Sequence, residues 1–392
     1  MAVILEKKNS QYFANRKRRY RKIITTIIIS IIIIVIAMVL FLICQLNNIE
    51  YTDYTVTQSI ERKDSAYTQY INYNEGLLRY SKDGAMYINR QGEFIWNSTY
   101  DMHNPIPDIS GEYIVISDLG NKNIEVFNKS GHVISLEVLY PIMKVEVASQ
   151  GVVAVLMDGG DVNYIQLYST TGQNLIDSRT TVEKNGFAVD FSMSNDGNKL
   201  VTSYISINDG LIQSKVTFYN FGRVGQNYEA RIVGGFDYGQ TLVSKVEFIN
   251  NNTIVAFGDD KFSIYKMEEI PELIYEEAFQ TEIKSIAYND KYIGIIQKNN
   301  SDSEGRYLLT VYNEEGNKVL NEEISYNYNQ FKIANGDIIF NSNTDLNILR
   351  INGKAKINAT FDNGLKYAFP MGLKDEYLIV DQSSINKVKL VK

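Results

Sequence analysis

The sequence predicts an all-β domain made of eight copies of one four-stranded unit, preceded by a single membrane-crossing helix. Three observations predict it. After an uncharged apolar run at residues 23–44, short apolar stretches alternate with polar turns to the end of the chain, and no long helical-period segment interrupts them. The most apolar stretches recur: LLRYS (77–81), YIVIS (113–117), VVAVL (152–156), KLVTSY (199–204), TIVAFG (253–258), YIGIIQ (292–297), DIIFN (337–341) and YLIVD (377–381). Six of them are followed by an alternating strand and a glycine turn, at Gly92, Gly131, Gly172, Gly222, Gly316 and Gly353; the fifth unit turns through KMEEIPE (266–272) instead. Units of this length and strand count predict an eight-bladed β-propeller, with seven blades as the alternative count.

The first element is Ile23 to Cys44, IITTIIISIIIIVIAMVLFLIC. At ~1.5 Å per helical residue it reaches ~33 Å, enough for a hydrocarbon core of about 30 Å. Residues 1–44 carry eight Lys/Arg against one acid, whereas the rest holds 31 bases and 45 acids, net −14. Basic residues beside a span stay on the cytoplasmic side, so the 1–22 tail is expected inside and residues 45–392 outside the cytoplasmic membrane. Arg16, Lys17, Arg18, Arg19, Arg21 and Lys22 are candidate membrane-surface contacts. The run is longer than a signal-peptide core, and no small-x-small site follows it, which predicts an uncleaved anchor in lipid. Cys44 is the only cysteine, so no intramolecular disulfide forms; at the membrane edge it is either a plain hydrophobe or an acylation site.

Residues 45–51 form a short linker to the propeller, 52–392. Its composition suits strands, with 28 Tyr, 17 Phe and only five Pro. A lone four-stranded sheet has two faces to bury, and radial stacking covers both. That explains why the apolar stretches are nearly continuous and do not alternate. The last unit, 368–392, has three strands, and a spare strand, TDYTVTQSI (52–60), precedes the first full unit. The spare strand is expected to complete the eighth blade by pairing with 386–392, with Tyr54, Val56 and Gln58 on one side.

The turn FSMSNDGNKLVTSY (191–204) resembles the Asp-Gly turn of WD40-like and TolB-like propellers. The whole layout resembles an uncharacterised family of bacterial single-pass membrane-anchored propeller proteins, mostly from Gram-positive anaerobes. That resemblance implies the fold and carries no activity.

Enzyme signatures are sparse. There are two histidines, His103 and His132, one tryptophan, Trp96, and no G-x-S-x-G, P-loop or G-x-G-x-x-G. No cofactor or metal is implied, and no nucleic-acid partner is expected. The turns joining second to third strands share one face of a propeller with the blade-to-blade connections. Each contains an aspartate: Asp83, Asp118, Asp158 with Asp161, Asp209, Asp259 with Asp260, Asp302, Asp345 and Asp381. A carboxylate ring there would attract a basic partner. Aspartate is also a favoured turn residue that bonds its own backbone. The function expected is a membrane-anchored propeller that binds an unknown protein or envelope polymer as a scaffold. The alternative is a cell-wall carbohydrate-binding or carbohydrate-active protein, with aromatic rings stacking on sugars.

Overall fold

The computed structural model describes residues 20, 22, 24–39, 48–62, 67–298, 307–372 and 375–392. The chain divides into two units, Met1–Tyr51 and Thr52–Lys392. In the first, residues 24–39 are helical and exposed. Among the described residues no helix is long and apolar enough to cross a membrane. Ile23 and 40–44 of the expected span lie outside the described residues, as do Arg16, Lys17, Arg18, Arg19 and Arg21; Lys22 is helical and exposed.

The second unit is an eight-bladed β-propeller of four-stranded antiparallel sheets. Blades 1 to 7 follow in chain order at 69–99, 105–137, 142–181, 187–239, 243–278, 283–324 and 330–360. Blade 8 combines 367–391 with Asp53–Glu61. In each of blades 1 to 7 the chain runs outward: first strands of neighbouring blades touch around the axis, and fourth strands such as Asn174–Thr181 are largely exposed. Second strands are sandwiched between blades. Thr253–Gly258 and Asp337–Asn341 are buried at every position, which is why their sequences read as unbroken apolar runs.

Each described hydrophobic cluster joins two consecutive blades. Val126 of blade 2 packs with Val145 and Val155 of blade 3, and Val216 of blade 4 with Val246 and Ile254 of blade 5. Ile338 of blade 7 packs with Ile296 and Leu309 of blade 6. Among the described residues no cluster lies within a single sheet.

The ring closes where the two ends of the domain meet. Asp53–Glu61 is the outermost strand of blade 8 and pairs antiparallel with Ser384–Val391, with Tyr54 opposite Leu390 and Ile60 opposite Ile385. A register shift between Val56 and Gln58 breaks the strict alternation that the sequence suggests. Two residues face one across such a bulge, so the side chains beyond it change sides. Val56 is 53% exposed, while Ile60 packs into the cluster between blades 8 and 1. The far side of that contact is Gly92, whose φ is +83° and where a Cβ would sit 2.8 Å from Ile60 Cδ1. The positive φ is what favours glycine in this turn, and the side-chain ends of Gln58 and Ile60 lie close against it. Gln58 Nε2 donates to Gln91 O at 2.9 Å, and Tyr54 stacks on Phe361 at 4.6 Å.

Strand direction fixes the faces. Second-to-third turns and blade-to-blade connections lie on one face, here called the upper face; first-to-second and third-to-fourth turns lie on the lower face. Asp53 pairs with Val391 at the end of a third strand, so the chain enters the propeller on the lower face.

A chain beginning at Asn48 is expected to melt like the full domain, and one beginning at Tyr67 roughly 3–5 °C lower or more, a shift that ~1–2 kcal/mol produces in a large domain. Removing 386–392 is expected to do at least as much damage. Removing both is expected to add little, because both deletions abolish one contact. Calorimetry of the four chains checks this; equal melting of the chains from Asn48 and Tyr67 would show that the strand closes nothing.

Candidate functional site

The upper face carries the aspartates singled out in the sequence, and the structure gives most of them local work. Asp118 is 1% exposed and accepts the backbone N–H groups of Asn104 at 2.7 Å and His103 at 3.0 Å. Burial works against its charge, but those N–H groups outweigh it and hold the carboxyl below its ordinary range. Asp381 accepts the N–H groups of Ser383 and Ser384 at 2.7 and 2.6 Å and Asn386 Nδ2 at 2.8 Å. Its carboxyl too is held low against burial, first by the Ser384 hydroxyl. Asp345 accepts hydroxyls of Thr360, Ser342 and Thr344 at 2.9–3.1 Å. Asp158 accepts Gly160 N–H, Asp259 accepts Leu242 N–H, and Asp260 accepts the Thr241 hydroxyl. Asp209 has a φ of 51° and shares a two-residue hairpin turn with Gly210. Asp83 and Asp161 are exposed in their turns. Asp302 lies outside the described residues.

A second group of charges, not singled out in the sequence, lies on the first strands around the axis. Lys144 Nζ is 2.8 Å from Glu146 Oε1 and 2.8 Å from Asp190 Oδ1, and donates to Phe191 O at 2.6 Å. Glu146 Oε2 accepts Met193 N–H at 2.7 Å and the Ser192 hydroxyl at 3.2 Å. Asp190 Oδ2 accepts Val246 N–H at 2.9 Å, and Asp108 Oδ2 accepts Val147 N–H at 2.8 Å. Lys245 and Glu247 pair at 3.3 Å on the next strand. Burial pushes Glu146 up to about 8 despite Lys144, and Asp108 up to about 6 despite the Val147 N–H. Burial works against the charge of Lys144, but Glu146, Asp190 and Glu247 hold its proton more firmly than usual. A signal for this group was present: the tripeptide Lys-Val-Glu recurs at 144–146 and 245–247, each time inside a strand that is apolar apart from it and, in the second, Ser244.

Most large aromatics are core. Tyr204 and Tyr219, and Tyr238 and Tyr265, meet hydroxyl to hydroxyl at 2.8 and 2.7 Å between or within buried sheets. Tyr307, Tyr326 and Tyr328, half-exposed, line a cavity of about 400 Å³ where blade 6 connects to blade 7. A neighbouring cavity of about 410 Å³ between blades 5 and 6 is lined by Asp259, Asp260, Phe279 and Glu282. Both open on the upper face. Blade 4 adds a projecting hairpin there: its second and third strands, Lys199–Asn208 and Leu211–Asn220, are ten residues long, and Ile207, Leu211 and Ile212 are 74, 49 and 53% exposed.

Two expectations follow. Asp118→Ala is expected to lose about 2–3 kcal/mol in denaturant melts, because two buried N–H groups lose a charged acceptor, whereas Asp209→Asn stays within ~0.5 kcal/mol. The buried pair sets a pH slope of definite sign. Glu146 and Asp108 bind protons more tightly folded than unfolded, so their contribution is fully present below their ordinary values of 4.5 and 3.8 and is lost as pH rises towards about 8 and about 6. The melting temperature is expected to fall across that window, and Glu146→Gln to flatten the upper part of the slope.

No curated protein matches the sequence. Among solved structures the chain is similar to BamB from Moraxella catarrhalis, with 11% identity and a TM-score of 0.54 over 86% of this chain and 100% of that one. It is similar to Saccharomyces cerevisiae Sqt1, with 10% identity and a TM-score of 0.56 over 88% of this chain and 100% of that one. A structure described as the eukaryotic initiation factor matches at 12% identity and a TM-score of 0.53, over 88% and 89%. At such identities these likenesses concern the fold alone. The sequence match is more direct: over residues 47–390 the chain fits the family of unknown function DUF5711, and it belongs to that family.

Proposed function

We propose that the chain is a single-pass anchored protein that presents its propeller outside the cytoplasmic membrane as a protein-interaction or envelope-scaffold module, with the upper face as the binding face. The observation that carries this reading is the blade 4 hairpin. Ile207 and Ile212 pair across it and stand exposed beyond the sheet, with Leu211 beside them at the turn. An isolated exposed apolar residue needs no explanation, but a projecting hairpin tip made of three suits insertion into a partner. The polar turns around it supply the rim that interfaces favour.

The anchor reading rests on the uncharged run at 23–44 and on the charge contrast to either side of it. The chain enters the propeller on the lower face. An enzymatic role has less support: the buried carboxylates Asp118, Asp381 and Asp190 are engaged with backbone N–H groups or with lysine.

Protease added to wall-free cells is expected to digest the propeller and spare an N-terminal tag; a released form starting near residue 45 would defeat the anchor. A photoreactive residue at Ile212 is expected to give a discrete adduct in intact cells, and one at Glu315, in a lower-face turn, none. The double substitution Ile207→Ser with Ile212→Ser is expected to weaken capture about tenfold or more, the effect of ~1.4 kcal/mol, without lowering the melting temperature. Equal adducts from both faces would remove the upper face from consideration.

A further inference from the structure

We infer that the cleft between blades 6 and 7 is a saccharide-binding site that takes a pyranose unit. The inference is independent of the hairpin and of the anchor. The cavity of about 400 Å³ falls in the ~300–1,000 Å³ range of small-ligand clefts. Its walls combine three tyrosine rings, Tyr307, Tyr326 and Tyr328, with the amides of Asn327 and Asn329. A pyranose presents an apolar C–H face and a belt of hydroxyls, each both donor and acceptor. Rings meet the first; amides and phenols, which also donate and accept, meet the second.

The cleft is built before any ligand arrives. Phe340, fully buried, backs the rings of Tyr326 and Tyr328 at 5.4 and 5.5 Å. Both tyrosines remain half-exposed and line the cleft. The Tyr328 hydroxyl is held against Ser285 Oγ at 2.9 Å, and Asn329 Nδ2 donates to Asn343 Oδ1 at 2.6 Å. Burial raises the phenols of Tyr326 and Tyr328 above their ordinary value, so both stay neutral donors. Ordering a ligand against groups already fixed costs less than ordering both.

Other ligand classes fit less well. Among the described lining residues there is no carboxylate, which disfavours a metal ion or a basic peptide; the cleft between blades 5 and 6, with Asp259, Asp260 and Glu282, has the opposite character. Among the described lining residues there is one ammonium, Lys284, and no arginine, too little for a polyphosphate but compatible with an acidic sugar. The only apolar surface among the described lining residues is that of the tyrosine rings, with no aliphatic side chain beside them, which suits a sugar face better than an aliphatic peptide side chain.

The test uses the full chain in lipid nanodiscs, titrated calorimetrically with trimers of N-acetylglucosamine, glucose (β- and α-linked) and galacturonic acid. At least one is expected to bind saturably in the millimolar range or tighter. Tyr326→Ala and Asn327→Ala are each expected to weaken it about tenfold, and Tyr328→Phe, which keeps the ring, less. Tyr326 contacts the core, so its loss could disturb the fold; Asn327 is exposed, and an unchanged melting temperature for Asn327→Ala keeps that variant decisive. No binding by any trimer at tens of millimolar overturns the inference, and so does binding that all three variants leave intact. Either result leaves the crosslinking result at Ile212 standing.

Discussion

A sheet with two apolar faces is stable only with a neighbour on each side, and the whole propeller follows from that constraint. Every described cluster spans two blades, so removing one blade would expose two apolar faces at once. Seven such junctions form between consecutive pieces of chain. The eighth needs a strand from the other end of the domain, and Asp53–Glu61 provides it. The long loop this closes is entropically less prohibitive than it looks, since closure cost grows only with the logarithm of loop length. What it requires is accuracy at one contact, and Gly92 supplies the room for it.

Around the axis a second problem appears. Each first strand is the inner edge of its sheet, so one row of its N–H and C=O groups has no strand to bond. Blades 2 to 5 solve this with side-chain acceptors: Asp108, Glu146 and Asp190 each take an N–H of the next blade, and Ser192 takes that of Phe248. Blades 7, 8 and 1 use donors instead. Gln330 and Asn335 reach carbonyls of blade 8 and its approach, Lys366 reaches Thr68 O, and Asn72 approaches Pro370 O. The acceptor half must hold buried carboxylates, and Lys144 and Lys245 are there to balance them. Burying an unpaired carboxylate is costly, and burial accordingly raises the proton affinity of Glu146 despite Lys144.

The architecture was legible because burial on both faces leaves a strong mark: YIVIS and TIVAFG can be little else than strands hidden between sheets. The bulge after Val56 was not legible, since nothing in the local sequence 53–61 marks a break in its alternation. The inner charge network was half legible. Lys-Val-Glu in an apolar strand is visible twice, but its partners Asp190 and Asp108 come from other blades, and sequence spacing does not say that they face it. The cleft between blades 6 and 7 could not be separated from the many buried tyrosines, because a half-exposed ring and a buried one have the same letter.

The aspartates of the upper face show how turn chemistry and binding compete for the same atoms. A carboxylate that already accepts two backbone N–H groups and a side-chain donor, as Asp381 does, has little left to offer a ligand, and its low proton affinity measures how well it is satisfied. The residues able to act outward are those that the fold does not use: the tip pair Ile207 and Ile212, which no sheet covers, and Asn327, in a connection that only has to span two blades. On such a scaffold binding capacity is best sought where side chains exceed what closing the turn requires. By that criterion the blade 4 hairpin and the connection from blade 6 to blade 7 qualify.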